Sequence, residues 1–193
     1  MAKIAIVYHT GFGHTGVVAD HVAKGVRDGG GDATLLKIED ASQDFTEILA
    51  AAKAADGIIF GAPTYMGDVS VGLKAFFEAS SKAWYGGEWK DKVAAGFTNS
   101  FNVAGDKAHA LNSIFTLAMQ HGMIWAGTGL PSGSLGKPNV DTSADIVNRF
   151  GYNIGLATQA DNGPPDQTPG AGDLEFARQF GHRVAQVTAK FAA

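Results

Sequence analysis

Ile4-Ala-Ile-Val-Tyr8, followed directly by His9-Thr-Gly-Phe-Gly-His-Thr15, is the stretch whose reading decides the fold. The first five residues form an apolar run that reads as a buried strand over 3–8. Beyond the turn, Val18, Val22 and Val26 recur at a four-residue spacing, one face of a helix over 15–28. What lies between is a tight strand-to-helix turn. A helix start carries unpaired backbone N–H groups and a partial positive charge. Gly11 and Gly13 let that backbone approach a ligand closely, and Thr10 and Thr15 add hydroxyls. Together these suit a phosphate, although glycine turns between strand and helix also occur for purely structural reasons. No Gly-Lys-Ser/Thr follows, so the turn is not a P-loop, and the three-glycine spacing of a dinucleotide fingerprint is missing. A short, hydroxyl-rich turn fits the terminal phosphate of a mononucleotide.

Working outward, strand-like and helical runs alternate. Gly29-Gly-Gly31 ends the first helix, and Ala33-Thr-Leu-Leu-Lys-Ile38 is a short second strand. Phe45, Ile48, Leu49 and Ala52 are spaced for a helix with Asp44 as N-cap. Gly57-Ile-Ile-Phe-Gly61 is apolar on both faces, as a central parallel strand should be. Leu73, Phe76, Phe77 and Ser80 give a third helix and Val93 to Phe97 a fourth strand. Ala108, Leu111, Phe115 and Ala118 mark a fourth helix, and Met123-Ile-Trp-Ala126 a fifth strand. Leu174, Ala177, Gly181, Val184, Thr188 and Phe191 step along a last helix that Asp173 would cap. This alternation predicts one α/β domain over 1–193: a three-layer, doubly wound, parallel five-stranded sheet of order 2-1-3-4-5, flavodoxin-like in topology. Residues 127–172, rich in proline and glycine, read as a long loop segment before the last helix.

In such a sheet ligands sit beyond the carboxyl ends of the strands, beside strands one and three. The loop after the third strand reads Gly61-Ala-Pro-Thr-Tyr-Met-Gly-Asp68. Pro63 fixes one backbone angle and Gly67 frees another, leaving Thr64, Tyr65 and Met66 to face the ligand. The loop after the fourth strand, Thr98-Asn-Ser-Phe-Asn102 and on to Gly105, offers amides and hydroxyls for a ring's edge and Phe101 for its face. Either loop alone could be an ordinary turn; three at one sheet edge form a constellation. Trp84, Tyr85 and Trp89 suggest a pocket wall, a subunit interface or core packing. His121 ends the fourth helix, where a helix C-terminus favours imidazolium.

Composition narrows the classes. The chain has 193 residues, 45% hydrophobic and 18% charged, with net charge −4. That balance carries no nucleic-acid footprint. No cysteine is present, which removes disulfides, thiolate metal sites and a thiol nucleophile. The six histidines show no metal-binding spacing, so no metal is expected. No apolar run approaches a membrane span, and Lys3 leads straight into a strand, so a cytoplasmic protein is expected. A response-regulator receiver shares the strand order but needs an acidic cluster where this first strand ends in Tyr8-His9.

These loops resemble the flavodoxin-like flavoproteins, most closely the WrbA-type NAD(P)H:quinone oxidoreductases, over nearly the whole chain. Tyr8-His-Thr-Gly-Phe-Gly-His14 is similar to that family's FMN-phosphate loop, with Thr10 in the usual serine place. Gly61-Ala-Pro-Thr-Tyr-Met-Gly67 is similar to its Gly-Thr-Pro-Thr-Arg-Phe-Gly loop beside the isoalloxazine. Trp84 falls at its active-site tryptophan, His121-Gly-Met123 matches its His-Gly-Met, and Asp173-Leu-Glu-Phe-Ala-Arg178 resembles its final helix. The resemblance implies FMN as bound cofactor, NAD(P)H as co-substrate, a quinone-like acceptor, and a homodimer or homotetramer. It implies that Thr10, Phe12, Gly13, His14 and Thr15 take the phosphate end. Pro63, Thr64, Tyr65, Met66 and Gly67, with Thr98, Asn99, Ser100, Phe101, Asn102 and Gly105, hold the ring. Trp84 and His121 line the substrate pocket, where His121 stabilises negative charge on a reduced quinone. Two departures stand out. Tyr65 replaces the arginine that helps receive the pyridine nucleotide, and Asn99-Ser-Phe-Asn-Val-Ala-Gly105 replaces a Thr-Gly-Thr-Gly-Gly-Gly run. A flavodoxin-type electron carrier and a non-enzymatic FMN-binding module are the rival readings.

Overall fold

Side-chain alternation along the strands divides the core into two layers. Ile4, Ile6 and Tyr8 point to one face of the sheet with Ile59, Val93, Ala95 and Phe97; Ala5 and Val7 point to the other with Ile58, Phe60 and Ala94. Each face needs a helical cover, because a parallel sheet is apolar on both sides. The structure, a computed structural model describing residues 1–192, supplies both covers.

The strands β1 (Lys3–His9), β2 (Asp32–Ile38), β3 (Gly57–Tyr65), β5 (Val93–Ser100) and β6 (Ile124–Trp125) line up in the order β2-β1-β3-β5-β6. This is the doubly wound order expected from the sequence; the numbering shifts because a short strand, β4 (Asp68–Val69), folds back antiparallel on β3. Helices α1 (His14–Asp28) and α6 (Ala171–Phe191) cover one face, and α2 (Thr46–Ala54), α3 (Val71–Ala79) and α5 (Lys107–Gln120) the other. A one-turn helix, α4 (Ser81–Tyr85), follows α3. Helices α1 and α6 cross so closely that a Cβ on Gly181 would overlap the carbonyl of Val22. No helix among the described residues is long and apolar enough to cross a membrane.

Three local expectations need correction. The fifth strand is not the single run 123–126. Only Ile124 and Trp125 pair with the start of β5, and β7 (Leu156–Gln159), inside the segment read as loop, pairs with its end from Phe97 to Ser100. The chain leaves the sheet after β6, and on its return Trp125 Nε1 donates to the carbonyl of Ile154 at 2.8 Å. Asn148 anchors the excursion from within, donating to the carbonyls of Leu130 and Tyr152. Asp44 lies one residue ahead of the N-cap Phe45, though its carboxylate still accepts the N–H of Thr46 at 2.9 Å. Asp173 does not cap α6, which begins two residues earlier; it is buried in the first turn.

Candidate active site

The turn after β1 bends through Gly13, whose φ of 91° is left-handed and which precedes α1 as its N-cap. Its N–H donates to Thr10 Oγ1 at 3.1 Å, so Thr10 closes the turn with its lone pair and keeps its own proton free. No side chain caps the N-terminus of α1, which leaves the first helical N–H groups and the dipole's positive end open. His14 Nε2 lies 2.8 Å from the carbonyl of Gly163, tying the turn to the segment after β7.

The hairpin joining β3 to β4 has a two-residue turn with positive φ at both Met66 (48°) and Gly67 (88°). Such a primed turn matches the strand twist, and holding methionine there costs roughly 1–2 kcal/mol. The turn aims Tyr65 back over residues 10–13. Its hydroxyl sits against Gly11, where a Cβ would overlap it, and its ring meets Phe12 edge-on at 6.4 Å. Burial raises the Tyr65 phenol above its ordinary value, offset in part by the Gly11 backbone, so it remains a neutral donor.

The loop after β5 completes the enclosure. Asn99 Oδ1 accepts from Thr158 Oγ1 at 2.9 Å, leaving its Nδ2 donors free. Gly105 (φ 48°) brings the chain back so tightly that a Cβ would overlap Ser100 Oγ.

These segments surround one cavity of about 380 Å³, within the size range of small-molecule sites. Thr10, Gly11, Phe12, His14 and Thr15 line one part, Pro63, Thr64 and Tyr65 a second, and Asn99, Ser100 and Phe101 a third. Ala160, Asp161 and Asn162 add a fourth wall that the sequence reading missed. A signal existed: the run at 123–126 is too short to flank β5 along its whole length, so a second edge segment had to follow.

Several expected residues lie off this lining. Thr98 is fully buried; its hydroxyl donates to the carbonyl of Ala62 at 2.8 Å and accepts from Thr64, joining β5 to β3. Gly13 shapes the turn from behind, with Pro165 in the space a Cβ would occupy. Met66 and Gly67 form the hairpin tip, and Asn102 and Gly105 lie beyond Phe101. Trp84 and His121 are elsewhere altogether: both follow helices running back from the site, which puts them at the amino end of the sheet. His121 is 5% exposed and stacked on Trp89 at 4.1 Å between ring centroids. Ser80 Oγ donates to the carbonyl of Phe77, so it accepts from His121 Nε2–H at 3.0 Å. Burial pushes the imidazole down to about 4. This is a neutral core histidine, and the expectation of an imidazolium facing a reduced acceptor does not hold within the chain: desolvation outweighs the helix C-terminus.

FMN fits the cavity by the chemistry of its walls. One end offers uncapped helix N–H groups and free hydroxyls for a phosphate, in a turn whose Gly11 has no side chain to collide with Tyr65. The remainder combines aromatic walls (Phe12, Tyr65, Phe101) with the amide of Asn99 and the hydroxyl of Thr64 for a polar-edged ring. Among the described residues no group of His, Asp and Glu side chains could hold a metal ion.

Comparison with known proteins agrees with this chemistry. A family model described as NADPH-dependent FMN reductase matches residues 10–133. The chain is 37% identical over 187 residues to Flavodoxin FldP of Pseudomonas aeruginosa (strain UCBPP-PA14), covering 97% of both. It is 30% identical over 206 residues to an NAD(P)H dehydrogenase (quinone) of Azorhizobium caulinodans, covering 98% of both. A solved structure described as the flavodoxin, WrbA-like protein from Agrobacterium tumefaciens is 38% identical and superposes with a TM-score of 0.75, covering 99% of both chains. The chain therefore belongs to the NADPH-dependent FMN reductase family and is a flavodoxin-like protein of the WrbA type, with FMN as its cofactor.

Proposed function

We propose that this protein is an FMN-dependent NAD(P)H oxidoreductase that reduces quinones or similarly flat acceptors by a ping-pong cycle in one shared pocket. The observation that carries this reading is the convergence of an open helix N-terminus and three aromatic walls on a single cavity, in a chain of a reductase family. When bound, FMN supplies the hydride and electron chemistry, and the protein supplies binding and orientation. The N–H groups at the start of α1 and the hydroxyls of Thr10 and Thr15 hold the phosphate. Phe12, Tyr65 and Phe101 flank the ring and the flat substrates that stack on it, while Thr64, Asn99 and Ser100 hydrogen-bond its edge.

Among the described residues no lysine or arginine lines the cavity, and Tyr65 is neutral, so no cation there singles out the extra phosphate of NADPH. NADH and NADPH should therefore reduce the protein at comparable rates. The same lack of cations, together with relatives named as flavodoxins, favours the second reading, an electron carrier. Anaerobic stopped-flow mixing separates the two. Direct bleaching of the FMN-loaded protein by either nucleotide, followed by recovery on adding a quinone, supports the reductase. Bleaching only when a separate reductase is added supports the carrier, and bleaching without turnover on any acceptor supports a non-enzymatic module. We further propose a cytoplasmic homodimer or homotetramer that covers the exposed Trp84 and Tyr85, to be checked by light scattering.

A further inference from the structure

The segment 100–105, beyond the ring-side wall of the cavity, has three successive carbonyls turned inward, each onto a side chain. The carbonyl of Phe101 accepts from Gln159 Nε2 at 3.0 Å. That of Asn102 accepts from Lys107 Nζ at 2.5 Å and from Ser100 Oγ at 3.0 Å, and that of Val103 from Lys107 Nζ at 2.8 Å. The Lys107 side chain is unusual on two counts. It is wholly buried, and it occupies the first position of α5, where the helix dipole opposes a cation. Lys107 Nζ lies 5.4 Å from the centre of the Phe150 ring. The charged groups facing it are Asp173 from α6 and Arg149 from the excursion, themselves joined by hydrogen bonds of 3.0 and 3.1 Å.

An apolar side chain of similar length would fill this space without the cost of burying an ammonium. What the charge adds is direction, through charge-assisted bonds to two adjacent carbonyls. Peptides are planar and these are trans, so inward carbonyls at 101, 102 and 103 send the N–H groups of Asn102, Val103 and Ala104 outward. None of those three N–H groups is bonded to another part of the chain among the described residues. We infer that Lys107 is a positioning residue for cofactor binding, fixing the segment 100–105 so that Phe101 meets the cavity and a row of backbone donors faces outward beside it.

This role rests on the FMN reading of the cavity, and it has a pH signature that a merely structural lysine would lack. Burial brings the ammonium down to about 8, with Asp173 raising it and Arg149 lowering it. Below that value the loop is held by a cation; above it, by a weaker neutral amine. The stability of the fold moves the other way. Between about 8 and the ordinary 10.5 the unfolded chain keeps a proton that the folded chain has shed, so folding stability rises with pH across that window.

The experiment is an FMN titration of the purified apoprotein, followed by quenching of flavin fluorescence, for wild type, Lys107→Arg and Lys107→Met from about pH 7 to about pH 9.5, where lysine near 8 loses its charge and arginine keeps it. Thermal melts are recorded on the same samples. The expected result is wild-type affinity falling several-fold with pH while apoprotein stability rises, Lys107→Arg binding FMN with no such fall, and Lys107→Met binding about tenfold more weakly at pH 7. Wild-type affinity that stays flat with pH, or Lys107→Met binding as tightly as wild type, overturns the role of Lys107 and leaves the FMN site standing. A wild type that takes up no FMN overturns both. If Lys107→Met does not fold, the contrast between wild type and Lys107→Arg decides alone.

Discussion

The turn after β1 and the loop after β5 border the same cavity but differ in how much of the chain holds them. The turn over residues 10–15 is closed locally, with Thr10 accepting from Gly13 three residues away and α1 following at once, and His14 adds a long-range hydrogen bond, to Gly163. The segment 100–105 is held both by near neighbours, Ser100 and Lys107, and from a distance by Gln159. Gln159 and Lys107 take its carbonyls, and behind Gln159 stands Asp173, which accepts the Gln159 N–H at 2.9 Å and both Nε and Nη2 of Arg149. The first end is therefore the more local and the second the more dependent on distant residues, and the two ends should fail differently. Damage to the turn should cost cofactor affinity at little cost to the fold, whereas damage behind the ring-side loop should cost both.

Asp173→Ala tests the tertiary end and carries the largest effect. It leaves the Arg149 guanidinium buried without its counter-charge, side chains 1% and 9% exposed respectively. Loss of one partner from such a pair costs about 3–5 kcal/mol. Urea denaturation should show that loss, and hydrogen exchange should show the segment 100–105 and β7 loosening ahead of the phosphate turn. Uniform loosening of both would erase the distinction drawn here.

Acid is the next largest perturbation and acts at the opposite end of the sheet. His121 titrates near 4 in the fold and at 6.5 when unfolded, so below 6.5 the unfolded chain gains a proton that the folded chain refuses. Stability from this group is whole above about 6.5 and is lost as pH falls towards 4, on the order of 3 kcal/mol in all. Denaturation curves across that range should show the loss, and His121→Phe, which can keep the stack on Trp89, should flatten it. An unflattened curve would show that the acid loss does not come from this buried imidazole.

That contrast bears on what a sequence makes legible. The sheet order followed from Ile4–Tyr8, Gly57–Gly61 and Val93–Phe97, because period-two burial on both faces leaves a local mark. The turn after β1 was visible for the same reason: its Thr10–Gly13 hydrogen bond, its glycine and its helix all lie within a few residues. His121 misled because a helix end says nothing about depth; only the tertiary stack on Trp89 decides its charge. Strand β7, Asp161 and Asn162 were hidden because four residues between glycine-rich stretches carry too little periodicity to be told from loop. Asp173 looked like a cap by spacing, and only the return of Arg149 from across the excursion turns it into half of a buried ion pair.

Thr10→Val is the mildest cut and isolates the local end. It removes the acceptor for the Gly13 N–H while keeping the side chain's shape, a loss of about 1 kcal/mol and so roughly fivefold in FMN dissociation constant. Thr10→Ser should restore affinity, and the melting curve should shift little in either variant.

The most direct measurement is FMN titration of Gly13→Val. This residue sits at φ 91° with Pro165 Cγ 2.7 Å from where a Cβ would lie, so valine must distort the turn proposed to receive the phosphate. Wild type should bind one FMN per chain with flavin fluorescence quenched, and folded Gly13→Val should bind none at the same concentrations. Unchanged binding by the folded variant would contradict the account by showing that FMN does not depend on the turn between β1 and α1.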